Sequence, residues 1–163
     1  MKKLGVWIFS VTMLSLSAAQ AQQTSELSYE SWVDSDNRMK CMYGYFAGKT
    51  GDHASAVKIF EDCIERWDDV YSMIWLAQIL ETGVGLPQDL ERATALMKRG
   101  AHMDGAAYSG LARYHYGVAL MEGYGVEKDR AQGMRWLERA AEEQVPDAIE
   151  YLDALQAADK AHH

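Results

Sequence analysis

From Asp36 onward, apolar residues recur at spacings of three and four. No stretch alternates apolar and polar long enough to suggest a strand. The pattern predicts helices over residues 37–47, 53–67, 70–81, 90–101, 106–122, 130–142 and 146–159. The breaks between them are short and carry the glycines. The only two prolines fall where helices must stop or start, Pro87 in a loop and Pro146 at a helix boundary. The first six helices pair into three antiparallel hairpins, and the seventh is left to cover the last one.

Two of these hairpins repeat each other about 40 residues apart. The first runs from Trp75 through Gly83, Gly85 and Asp89 to Ala93, Leu96 and Ala101. The second runs from His115 through Gly123, Gly125 and Asp129 to Trp136, Ala140 and Ala141. Each feature of the shared loop has a structural role. Gly83 and Gly123 stand where a helix end requires a left-handed residue, and Gly85 and Gly125 allow a tight return. Leu86 and Val126 plug the hairpin end, while Asp89 and Asp129 cap the next helix. Self-similarity of this kind marks a solenoid, and it moves the functional expectation from catalysis toward binding.

These residues resemble the Sel1-like repeat, a relative of the tetratricopeptide repeat. The family pattern is Ala-x-x-x-Leu-Gly-x-x-Tyr, then Gly-x-Gly-Val-x-x-Asp, then Lys-Ala-x-x-Trp-x-x-Lys-Ala-Ala. The third hairpin matches it at Ala112, Gly117, Gly123, Gly125, Val126, Asp129, Trp136, Ala140 and Ala141. It departs at Tyr116, Leu120 and Gly133. The second hairpin matches through Leu76, Gly83, Gly85, Asp89, Ala93 and Ala101. The first is closer to a plain tetratricopeptide unit, with Gly44, Gly51, Ala56 and Phe60 at its characteristic spacings. The resemblance implies an all-α, α/α superhelical solenoid of about three TPR/Sel1-like hairpins with a C-terminal capping helix. It also implies a protein-binding role, in settings such as envelope signalling, secretion or motility assemblies.

The first 21 residues read differently. Lys2 and Lys3 precede an apolar run from Leu4 to Leu16, and Ala19-Gln20-Ala21 offers a small-x-small cleavage site. The expectation is a signal peptide over 1–21 cleaved after Ala21, a flexible polar segment over 22–35, a repeat domain over 36–159 and a tail over 160–163. The protein would then be periplasmic or secreted, with no transmembrane segment in its mature form. The net charge of -8 becomes about -10 without the two leader lysines, a balance that repels nucleic acid and anionic lipid. Export would also place Cys41 and Cys63 in an oxidising compartment. They lie equidistant from the turn at Asp52, so an intramolecular bridge across the first hairpin is expected, worth about 3 kcal/mol in the chain-entropy model. Free thiols or an intermolecular bond are the alternatives.

Three strings resemble the active-site set of serine β-lactamases and penicillin-binding proteins: Ser55-Ala-Val-Lys58, Ser35-Asp36-Asn37 and Lys49-Thr50-Gly51. Their order is reversed relative to those enzymes, and all three fall in one predicted α-hairpin, where Lys49-Thr50-Gly51 is the turn. The expectation is therefore no enzyme, with a β-lactam- or peptidoglycan-acting enzyme as one alternative and a self-associating structural protein, a homo-oligomer, as another. His115 lacks further ligands at three- or four-residue spacing, so no metal and no cofactor are expected. The acids Glu61, Asp62, Glu65, Asp68 and Asp69 read as a solvated face, or else as a patch for a basic partner.

In tetratricopeptide-like solenoids the first helix of each hairpin lines the concave face. Register places Arg38, Tyr45, Tyr71, Ile74, Gln78, Glu81, Tyr114, Val118, Met121 and Glu122 along that groove. Tyr and Met there suit a protein surface. Phe60, Trp75, Leu96, Trp136 and Leu137 are assigned to the core. The expected partner is another protein or peptide associated with the cell envelope.

Overall fold

The structure, a computed structural model, describes residues 28–161. The expected leader, residues 22–27 and the last two histidines lie outside the described residues. A 3-10 turn, Tyr29–Trp32, precedes α1 (Lys40–Lys49), α2 (His53–Trp67), α3 (Val70–Thr82), α4 (Leu90–Ala101), α5 (Ser109–Glu122), α6 (Arg130–Glu142) and α7 (Pro146–Ala161). No strand occurs among the described residues. Each helix packs on the next, and in addition α1 meets α3 and α3 meets α5. The first helices of the hairpins are therefore drawn together on the inside of the curve, as the solenoid expectation requires.

Helix starts and stops follow local chemistry. Asp52, Asp69, Asp89 and Asp129 each accept a hydrogen bond from the amide three residues on, at 2.8–3.1 Å. Gly83 and Gly123 end α3 and α5 in the left-handed conformation, with φ of 70° and 82°. Two starts come later than the sequence predicts. Residues 37–39 form a turn, with the Asn37 side chain accepting from the Met39 amide, so α1 opens at Lys40. Tyr108 takes a φ of 66°, which breaks the predicted helix and delays α5 to Ser109. At the far end, α7 continues two residues past the predicted stop.

The core runs along the interior as one cluster that includes Phe60, Met73, Leu76, Leu80, Met97 and Leu120. Phe60 and Leu137 are fully enclosed, whereas Trp75, Leu96 and Trp136 are only partly buried. A satellite cluster surrounds the Cys41–Cys63 disulfide, whose Cα atoms lie 5.9 Å apart across α1 and α2. Trp32 and Val33 pack onto it, and Trp32 stacks on Tyr43 at 4.1 Å. The segment 28–35, expected to be flexible, is therefore docked. Its polar composition concealed two apolar anchors, and the buried Lys40 ammonium adds a third tie by donating to the Val33 carbonyl at 2.8 Å.

The hairpins are further joined by ion pairs that bridge successive units. Arg92 pairs with Glu61, Arg99 with Asp68 and Arg38 with Asp69. Asp62 pairs with Lys40 and Arg66. The acidic run that read as a solvated face or partner patch is thus mostly committed to neighbouring helices of the chain itself. Burial works against ionisation of Asp62, but the Lys40 and Arg66 cations prevail and hold its carboxyl below the usual range.

Candidate functional site

The inward helices carry a run of aromatic rings in mutual contact. Phe46 meets Tyr45 at 5.5 Å, Tyr45 meets Trp75 at 4.6 Å, Trp75 meets Tyr71 at 6.1 Å, and Tyr71 meets Tyr108 at 5.3 Å. This chain of rings crosses α1, α3 and the entry to α5. Phe46 and Tyr108 remain exposed, and the other three are part-buried. Burial, with the Tyr108 hydroxyl close by, pushes the Tyr71 phenol up to about 12, so it remains a neutral donor at any physiological pH.

A cleft of about 160 Å³ opens between α1 and α3 beside these rings, floored by Gly44, Gly48 and Phe60. Tyr45 of α1, Trp75, Gln78, Ile79 and Thr82 of α3, and Val84 of the following loop complete its lining. The Lys49 ammonium lies 5.4 Å over the Tyr45 ring and 5.2 Å over the Trp75 ring. A second, wider cleft of about 370 Å³ lies between the end of α3 and α5, lined by Glu81, Gln88, Tyr114, His115, Val118 and Tyr124. Desolvation raises Glu81 above the usual carboxylate range and lowers His115 below the usual imidazole range, the latter opposed by Asp147.

Of the ten residues expected in the groove, Tyr45 and Gln78 line the first cleft, and Glu81, Tyr114 and Val118 the second. Tyr71 joins the ring chain, and Glu122 accepts from the Tyr151 hydroxyl of α7 at 3.2 Å. Arg38 is exposed just before α1, paired with Asp69, and lines neither cleft. Two placements are corrected: Ile74 and Met121 are only 3% and 1% exposed and belong to the interior. One helical position is a rotation of about 100°, enough to turn a side chain from the inner face into the packing between helices. Sequence reasoning missed Trp75, Lys49, Phe46 and Tyr108 as surface residues of this face. Tyr108 could not be found from the sequence, because its position depends on an unusual φ.

The β-lactamase-like strings are dispersed by the fold. Ser55 is buried at the first turn of α2, its amide bonded to the Asp52 cap, while Lys58 is exposed on the same helix. Ser35-Asp36-Asn37 precedes α1, where Asp36 pairs with Arg66. Among the described residues no group of three or more His, Cys, Asp or Glu side chains is placed to hold a metal ion. No described helix is long and apolar enough to cross a membrane.

The Sel1 repeat profile matches residues 70–104 and 110–145, which are α3–α4 and α5–α6 with their loops. Among solved structures, the crystal structure of a Sel1 repeat protein from Oxalobacter formigenes is similar in fold, with a TM-score of 0.64 and 24% identity. The likeness covers 74% of this chain and 47% of that one, so this chain spans about half the length of that relative. Sel1 repeats generally mediate protein–protein interaction and are generally not enzymes. The chain thus carries two tandem Sel1 repeats in register, on a fold shared with a Sel1 repeat protein.

Proposed function

We propose that the protein is a periplasmic or secreted adaptor that holds a segment of another, envelope-associated protein along the face of α1, α3 and α5. The observation that carries this reading is the run of contacting, partly exposed rings from Phe46 to Tyr108. Aromatic anchors give large contact area at low conformational cost and dominate protein interfaces. A disulfide is compatible with an extracytoplasmic location and supports the compartment. No covalent step is required of any residue, and no cofactor enters.

The test is affinity capture from an envelope extract, followed by binding of the identified partner to the purified protein. Tyr71→Ala and Tyr114→Ala are expected each to weaken that purified complex about tenfold with unchanged far-ultraviolet circular dichroism. Wild-type affinity in both variants would refute the groove.

A further inference from the structure

We infer that the cleft between α1 and α3 is a socket for one apolar side chain of the bound segment, and that Lys49 at its mouth takes a carboxylate next to that side chain. The inference rests on the groove reading above and names what the groove prefers: an apolar residue beside an acidic group.

Gly48 is the first observation. Gly44, one turn earlier, must be glycine because a Cβ there would lie 2.6 Å from the Phe60 ring. A Cβ on Gly48 would meet only Ala56, at an ordinary 3.8 Å, so packing does not demand a glycine there. Its φ also lies outside the left-handed region. Glycine inside a helix is destabilising relative to alanine. What its missing side chain provides is the open floor of the cleft, down to Phe60. At about 160 Å³ the space is well below that of an ordinary small-molecule pocket and suits a single side chain of leucine or phenylalanine size. Phe60, Trp75, Ile79 and Val84 supply its apolar lining, beside the polar Gln78 and Thr82.

Lys49 is the second. Among the cations on the inward helices, Lys40 is buried against Asp62 and Arg113 is buried against Glu143 and Asp104. The α3 helix has none. Lys49 is exposed and makes no ion pair among the described residues; its neighbours are the Tyr45 and Trp75 rings, which hold its ammonium over the cleft. A carboxylate arriving there gains a cation already positioned and not already neutralised. The chain's charge of -8 sets the limit on this preference. A strongly acidic segment would be repelled by the whole molecule. A single carboxylate is recognised at contact, within the Debye length of about 8 Å at physiological salt. His53, at the start of α2, also lines this cleft.

The carboxylate can come from an Asp or Glu side chain or from a chain end. Two libraries of random seven-residue peptides separate these, one displayed with a free C-terminus and one embedded between flanking residues. Both are selected on the full protein with its disulfide intact. The expected outcome is enrichment of Leu, Met, Phe or Trp next to Asp or Glu in the embedded library, or at the last position in the free-end library. Selected peptides are expected to bind Gly48→Leu at least tenfold more weakly and Lys49→Met about threefold more weakly, with both variants retaining wild-type helicity. Enriched peptides lacking the apolar residue or the carboxylate, or binding both variants as tightly as wild type, overturn the socket. If binding is lost in Tyr114→Ala but kept in Gly48→Leu, the socket falls and the groove stands. If neither library enriches, both fall.

Discussion

A Cβ on Gly44 would press 2.6 Å from the Phe60 ring, and one on Gly48 would touch Ala56 at 3.8 Å, although the two glycines occupy the same helix one turn apart. Gly44→Ala must therefore displace a fully enclosed ring and is expected to cost about 1–3 kcal/mol. Gly48→Ala is expected to gain about 0.5 kcal/mol by narrowing the unfolded ensemble. Chemical denaturation of the two variants checks the pair, and equal effects would remove the contrast. His115 gives the residue scale its pH dependence. Burial holds its imidazole below the ordinary range, so the unfolded chain binds a proton that the folded chain refuses. Stability then rises with pH through the unfolded value near 6.5 and falls on acidification below it. Asp147, which favours the charged form, moderates the effect. Melting temperatures at about pH 7.5 and 5.5 should fall more in wild type than in His115→Gln; an identical fall in both would show that this group does not contribute.

At the scale of elements, the repeated loops do more than reverse the chain. Each reaches back to the start of the preceding unit's second helix. A Cβ on Gly85 would lie 2.3 Å from His53, and one on Gly125 2.0 Å from the Leu90 carbonyl oxygen. The Thr94 hydroxyl fixes the second loop by donating to the Tyr124 carbonyl at 2.7 Å. With a φ of 61° and backbone rather than a flexible side chain in the way, Gly125→Ala is expected to destabilise by about 2 kcal/mol or more, read as a lower denaturation midpoint. The loop glycines, the Asp caps and all seven helix spans, within three residues, were legible in the sequence because each depends on neighbours a few positions away. The contact of Gly125 with Leu90 was not, since it requires the angle between two hairpins. The same reason hid the pairing of Arg92 with Glu61 and of Arg99 with Asp68, which turned an apparent acidic face into stitching between units. For the candidate face, register was enough to find Tyr45, Tyr71 and Tyr114. It failed where the outcome depended on rotation about the helix axis, as with Ile74 and Met121.

The whole molecule is a linear stack in which α1 to α7 pack chiefly on their neighbours, so stability is distributed by unit and by interface rather than held in one centre. Its one covalent crosslink lies wholly within the first unit, 22 residues apart in sequence, and the satellite cluster around it includes Trp32, Ile59 and Trp67 but no residue beyond α2. Reduction lengthens no contact in the later units. It restores to the first hairpin about 3 kcal/mol of unfolded-state freedom, a large share of what a single hairpin contributes. The second and third units keep their own core, their Asp caps and, at the far end, the Arg113 network with Glu143 and Asp104. Hydrogen exchange after reduction should therefore accelerate in α1 and α2, less in α3, which borrows its outer contacts from α2, and hardly at all in α5 and α6. Uniform acceleration along all seven helices would instead mean that the stack opens as one cooperative body. The socket between α1 and α3 would then depend on the distant end of the chain as much as on the disulfide beside it.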